Sequence, residues 1–263
     1  MKKIVITTIK SLGFFLVWAI LAGLIPIPDS ENPAIWRFWA ELFPFLCIVG
    51  VSLLFWFIEK KKVHIFTISM PIKSCLLGTV CGMLWLGITF LIMLLLGVLK
   101  IKNAAPVPML WLWLFSVLIN TITQELLVRG YLYQMIKANY NIATATIVSS
   151  ALFTLLHGGA FEAGVVPVLN VLSMSLLMTA VLEYTQSLIA PIVMHFLWNS
   201  IGAIIIGGVS LADDYPHLFT AVFSGNSLLS GGIYKMEGSL VVTLLNIILI
   251  SVFLLLIKRK KTA

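Results

Sequence analysis

The sequence predicts an all-α, polytopic membrane helix bundle, with about eight transmembrane helices around an intramembrane polar cavity. Three observations predict it. Of the 263 residues, 60% are hydrophobic and only 10% charged, where a soluble domain carries roughly a quarter charged residues. Apolar runs of about 20 residues, enough to cross a bilayer core, recur along the chain. Three stretches put ionisable and amide side chains deep inside those runs: Gln124-Glu125-Leu-Leu-Val-Arg129-Gly130, Phe153-Thr-Leu-Leu-His157 and His195-Phe-Leu-Trp-Asn199. Such groups are costly at membrane depth, so they face a protein interior or a wet cavity and mark function.

The first predicted span, 4–25, follows Met-Lys-Lys and has the outline of a signal peptide. No small-x-small cleavage site precedes Pro26, and the run is long enough to cross, so it reads as a retained helix. The second span covers 38–58. The third, 74–99, carries Gly78 and Gly82 with Ser74 one turn earlier, a small-xxx-small pattern that predicts close helix packing. The fourth, 108–136, is unusually long and holds the first polar stretch. The fifth, 142–160, ends on His157 and Gly158-Gly159. The sixth and seventh cover 165–182 and 187–208, and the eighth 238–257. Between the last two lies the one long connection, 209–237, whose Pro216 and many Gly and Ser residues predict an outer loop with room for a short surface helix. The chain thus divides into N-terminal helices (1–107), a candidate catalytic core (108–208), and an outer loop with a last helix and basic tail (209–263).

The net charge of +7 sits in short clusters between apolar runs, where basic residues set topology; no nucleic-acid partner is expected. With the N-terminus inside, the inner segments hold Lys2, Lys3, Lys10, Lys60–Lys62, Lys73, Lys137 and Lys258-Arg-Lys-Lys261. The outer segments hold Arg37, Lys100, Lys102 and Lys235. That bias predicts a cell-membrane protein with both termini cytoplasmic. Acidic residues (Asp29, Glu31, Glu41, Glu162, Asp213, Asp214, Glu237) fall mostly outside, and Trp36, Trp39, Trp111 and Trp113 lie near outer boundaries as an aromatic belt would. Cys47, Cys75 and Cys81 lie in apolar segments without metal-site spacing, and give no reason to infer disulfides.

Each polar stretch has a plain structural reading. Glu125 and Arg129, four apart, share a helix face and can form a buried ion pair that locks helices. Gln124 points about 100° away from Glu125, so it is the better placed of the two to face a cavity. His157 can be a satisfied core histidine, and His195 with Asn199 can hydrogen-bond neighbouring helices. Depth links them. At ~1.5 Å per residue from the inner ends, Gln124, His157, His195 and Asn199 lie ~19, ~22, ~11 and ~17 Å deep, compatible with one cavity.

In this order, Glu-Glu-xxx-Arg, Phe-xxx-His and His-xxx-Asn/Asp are the pattern of the CAAX-protease and bacteriocin-processing (CPBP, Abi, Rce1-like) intramembrane endopeptidases, which the chain resembles over roughly 108–208. The resemblance implies a helix bundle around a polar cavity and hydrolysis of a peptide bond. By it, the positions of Gln124 and His157 activate a water, His195 and Asn199 stabilise the oxyanion, and Glu125, Arg129 and Phe153 support the site. It also implies a membrane-associated peptide or protein substrate, with peptide maturation or bacteriocin self-immunity as family roles. The chain departs from the pattern at Gln124, where the family has Glu. An amide orients a water through its carbonyl but accepts no proton at neutral pH; general acid–base help is worth ~10²–10⁴ in rate. Four outcomes stay open: His157 carries the proton alone, Glu125 substitutes although Arg129 beside it makes it a poorer base, Gln124 only positions water, or the site is inactive and binds a peptide or partner.

Other membrane chemistries fit less well. The sequence has no His-Glu-xxx-His for a zinc protease, no intramembrane Asp for an aspartyl protease and no Gly-x-Ser-Gly nucleophile motif. No cofactor is expected. Zinc on the two histidines and Glu125 is disfavoured because Arg129 engages Glu125 and Gln is a poor zinc ligand. A transporter reading lacks inverted repeats and matching broken helices.

Overall fold

The computed structural model describes residues 2–65, 67–210 and 215–262; Asp213 and Asp214 of the predicted outer loop lie outside them. The described chain is nearly all helical: α1 (Lys2–Leu24), α2 (Pro33–Ile58), α3 (Pro71–Leu95), α4 (Leu110–Glu125), α5 (Tyr131–Asn139), α6 (Ile142–Leu156), α7 (Gly158–Ala163), α8 (Val165–Thr185), α9 (Ile189–Leu197), α10 (Ser227–Ser230) and α11 (Leu240–Thr262). Among the described residues six helical segments are long and apolar enough to cross a membrane. The other two expected spans are shorter: α6 stops before His157-Gly158-Gly159, and the segment that begins with α9 runs only to Ile205, where Gly207 turns with φ +71°. Two connections also contain strands, β1 (Leu99–Ala104) and β2 (Phe219–Phe223), paired antiparallel with Leu99 opposite Phe223 and a bulge between Lys102 and Ala104.

The chain forms two compact units. One comprises residues 1–67 and 111–152, the other 68–110 and 153–263. In the first, α2 begins on an Asn32 cap whose side chain accepts from the Ala34 and Ile35 amides, with Pro33 preset for the first turn. Its interior Pro44 is tied to α1 by the Trp18 indole, which donates to the Pro44 carbonyl at 3.1 Å. Phe14 of α1 packs on Phe55 of α2 and on Tyr131, with ring centroids 5.4 and 4.8 Å away. At the end of this contact Glu59 receives both Lys10 (2.8 Å) and the Tyr131 hydroxyl (3.0 Å).

In the second unit, α3 packs against α9 and α8 against α11. The small-residue pattern of α3 does what it predicted. A Cβ at Gly78 would lie 2.7 Å from the Ala190 carbonyl, and one at Gly82 would lie 3.2 Å from the Met194 Cα. Beside this contact Trp85 stacks on Trp198 at 4.2 Å, within a core that includes Met178, Val181, Met194 and Phe253. Polar bonds join α8 to α11: Asn246 donates to Ser173 at 2.9 Å, and Thr243 donates to Asn170.

Candidate functional site

Two of the three polar stretches coincide with π-helical turns. Leu126–Gly130 joins α4 to α5 within one long apolar segment, and Trp198–Ile205 continues α9. Such widened turns are uncommon and frequent at functional sites. Glu125 is the last α residue before the first, and Asn199 is the second residue of the other.

In the first unit Arg129 donates to Glu125 at 2.8 Å, and neither residue is exposed to solvent. The pair expected from the four-residue spacing is therefore present, in a setting where each charge depends on the other. Gln124 belongs to a different polar chain. Arg37 donates to Glu41 at 3.2 Å, Asn120 donates its amide to the other Glu41 oxygen at 2.8 Å, and Gln124 donates its amide to the Asn120 carbonyl at 2.7 Å. The order of donors follows from the buried carboxylate. An ionised Glu41 only accepts, so Asn120 must turn its NH2 toward it and its oxygen toward Gln124. Gln124 must then turn its own NH2 to Asn120. Its carbonyl oxygen is left as the terminal acceptor, and that atom is buried with no hydrogen-bond partner among the described residues.

In the second unit Phe153 is 1% exposed and its ring touches both motif histidines, with centroids 4.3 Å from His157 and 5.9 Å from His195. His157 Nδ1 lies 2.7 Å from the Phe153 carbonyl. A carbonyl can only accept, so in the neutral ring Nδ1 carries the hydrogen and Nε2 is the basic nitrogen. His195 and Asn199 are both buried. His157 also lines a cavity of about 540 Å³ with Gly158, Gly159, Pro167, Ser210 and Glu237.

Glu125 and Arg129 are thus brought together as their spacing suggested, and Phe153 touches both histidines. Gln124 is instead tied to Asn120 and Glu41. Sequence reasoning missed three residues. Asn120 was legible in principle, since it sits four before Gln124 on the same face. Glu41 counted as an outer acid but is buried in α2. Glu237 counted as a loop acid, with no local signal to place it beside a histidine 80 positions earlier. Among the described residues no three His, Cys, Asp or Glu side chains cluster as metal ligands would.

Residues 106–201 match the family model of the Rce1-like, type II CAAX prenyl endopeptidases. This part of the chain resembles that family. The match spans every motif residue from Gln124 to Asn199, so it supports the CAAX-protease family and its peptidase class. No curated protein and no solved structure matches the chain.

Proposed function

We propose that the protein is an intramembrane endopeptidase of the CAAX-protease type. The observation that carries this reading is the Rce1-like match over 106–201, which takes in all three polar stretches in order. A water at His157 attacks the carbonyl carbon of the scissile peptide bond. His195 and Asn199 donate hydrogen bonds to the oxyanion that develops, a role worth ~10²–10³ per donor. The Gln124 carbonyl, fixed by Asn120 and Glu41, is an acceptor that takes no proton. Among the motif residues that leaves His157 Nε2 to accept a hydrogen bond from the water and orient it. Glu125 and Arg129 hold the wide turn beside Gln124, and Phe153 holds both imidazoles. The substrate is a membrane-associated peptide or protein, with peptide maturation or bacteriocin self-immunity as the setting; the protein works in the cell membrane with both termini cytoplasmic.

The test is cleavage of a peptide library by purified protein in liposomes, comparing wild type with His157→Ala. Cleavage that His157→Ala abolishes is expected; cleavage that survives it would overturn the reading. A second reading rests on Gln124 itself: the locked amide makes a peptide-binding site without turnover. Silent wild type with an active Gln124→Glu variant would favour it.

A further inference from the structure

The family pattern pairs a carboxylate with the histidine of the second stretch, and this chain has an amide at that position. A carboxylate nevertheless shares a cavity wall with His157. Glu237 sits in the turn Gly232–Gly238 before α11 and lines the cavity of about 540 Å³ together with His157, Tyr234 and Ser210. Its position is built rather than incidental. Buried Asn170 of α8 donates to the Glu237 carbonyl at 2.7 Å and to the Ser239 carbonyl at 2.9 Å, clamping the backbone on both sides of Gly238. The carboxylate accepts from the Ser210 amide at 3.2 Å, and the neighbouring Met236 amide donates to the Gly208 carbonyl at 3.1 Å. The turn itself admits no side chain at Gly231, where φ is +78° and a Cβ would overlap the Lys235 carbonyl, nor at Gly238, where it would lie 2.6 Å from the Gly231 carbonyl.

The geometry points to Glu237 as the carboxylate that works with His157. This rests on the peptidase reading and adds to it the residue that takes the proton. His157 Nε2 accepts one O–H of the water and orients it. As the water oxygen bonds to the peptide carbonyl carbon, its other proton passes to the Glu237 carboxylate. When the C–N bond breaks, that proton moves to the leaving nitrogen, giving an amine and a carboxylic acid and returning Glu237 to its ionised form. The mobile proton has one acceptor at each stage, and no metal or further reactant is needed.

The test uses the full chain in liposomes with a cleaved library peptide. Glu237→Gln keeps size and hydrogen bonding but removes the base, so kcat falls by about 10²–10⁴ with KM little changed. Glu162→Gln, an exposed acid on α7, serves as the control and leaves kcat unchanged. If His157→Ala is inactive while Glu237→Gln retains wild-type kcat, the Glu237 assignment is overturned and the peptidase reading stands. If wild type cleaves nothing, the peptidase reading fails, and the pair is then read without turnover by the pH profile of His157 modification with diethyl pyrocarbonate. The ionisable groups on the cavity wall are Glu237 and Tyr234, with Lys235 acting on Glu237. A Glu237–His157 pair moves that profile to lower pH by about one unit in Glu237→Gln, because the imidazolium loses its counter-charge; identical profiles overturn the pairing. Retained chromatographic behaviour of Glu237→Gln in detergent shows that the variant is folded.

Discussion

Glutamine at position 124 differs from glutamate by the two hydrogens of its amide, and those hydrogens are what the surrounding chain uses. Glu41 fixes Asn120, Asn120 accepts from Gln124, and the Gln124 carbonyl oxygen is left without a hydrogen-bond partner among the described residues. Glu at 124 would reverse this. It could only accept, so Asn120 would have to turn its NH2 to two carboxylates at once and leave its own oxygen without a donor. An orphaned buried acceptor costs about 1–3 kcal/mol. Gln124→Glu is therefore expected to lower thermal stability in detergent, and Glu41→Gln in the same chain, which lets the amides reorient, to restore part of the loss. Equal melting of Gln124→Glu and wild type would show that the chain does not set the amide. The Glu125–Arg129 pair behaves differently. Removing either partner takes the ion pair from a buried charge, which costs about 3–5 kcal/mol, whereas replacing both by apolar residues of similar size is often neutral. Arg129→Met should unfold at markedly lower temperature than Glu125→Leu/Arg129→Met; a double variant as unstable as the single would contradict the pairing. The pair was legible from its spacing. The Gln124 lock was only half legible, because Asn120 lies on the same helix whereas Glu41 arrives from 79 positions away.

At the scale of elements, hydropathy located helices well and packing explains what it missed. The first predicted span, 4–25, is α1 (Lys2–Leu24), and the sixth, 165–182, lies inside α8 (Val165–Thr185). The long fourth span is one apolar segment with a π turn inside it. That turn has no sequence signature, because it reflects which backbone carbonyl each amide selects rather than which side chains are apolar. The β1–β2 pair was also invisible as a pair, since its two strands lie more than a hundred residues apart. Helix contact, by contrast, was readable in small residues. Gly78→Ala should disturb the α3–α9 contact, because its Cβ would meet backbone 2.7 Å away and backbone cannot yield as a flexible side chain can. Overpacking of this kind costs about 1–3 kcal/mol. Gly87→Ala on the same helix meets nothing within 4 Å and should be neutral or slightly stabilising, since Gly in a helix interior costs roughly 0.5–1 kcal/mol relative to Ala. Thermal unfolding of the two variants side by side checks the contrast; equal shifts would mean the close approach carries no energy.

For the molecule as a whole, the ends of the chain depend on parity more than on the number of spans. Six long helices and two shorter ones leave the choice between six and eight crossings to depth in the bilayer, yet both counts are even, and either would put the termini on one side. The basic residues, twelve in the segments assigned inside against four outside, predict the cytoplasmic side, because positively charged loops tend to be retained there. The same assignment puts the β1 strand, with Lys100 and Lys102, on the outer face. Single-cysteine labelling settles orientation without reference to activity. In a background with Cys47, Cys75 and Cys81 replaced by Ser, Lys102→Cys should react with a membrane-impermeant maleimide in intact cells, while Lys3→Cys and Thr262→Cys should react only after permeabilisation. Reaction of Lys3→Cys and Thr262→Cys on opposite sides would break the parity and require one of the two short segments to enter the bilayer without crossing it. Both termini reacting in intact cells would invert the charge rule. The orientation also bears on the site, since His157 closes α6 at the end away from Lys137, so an inverted chain would put the cavity of His157 and Glu237 toward the opposite compartment and change which substrates could reach it.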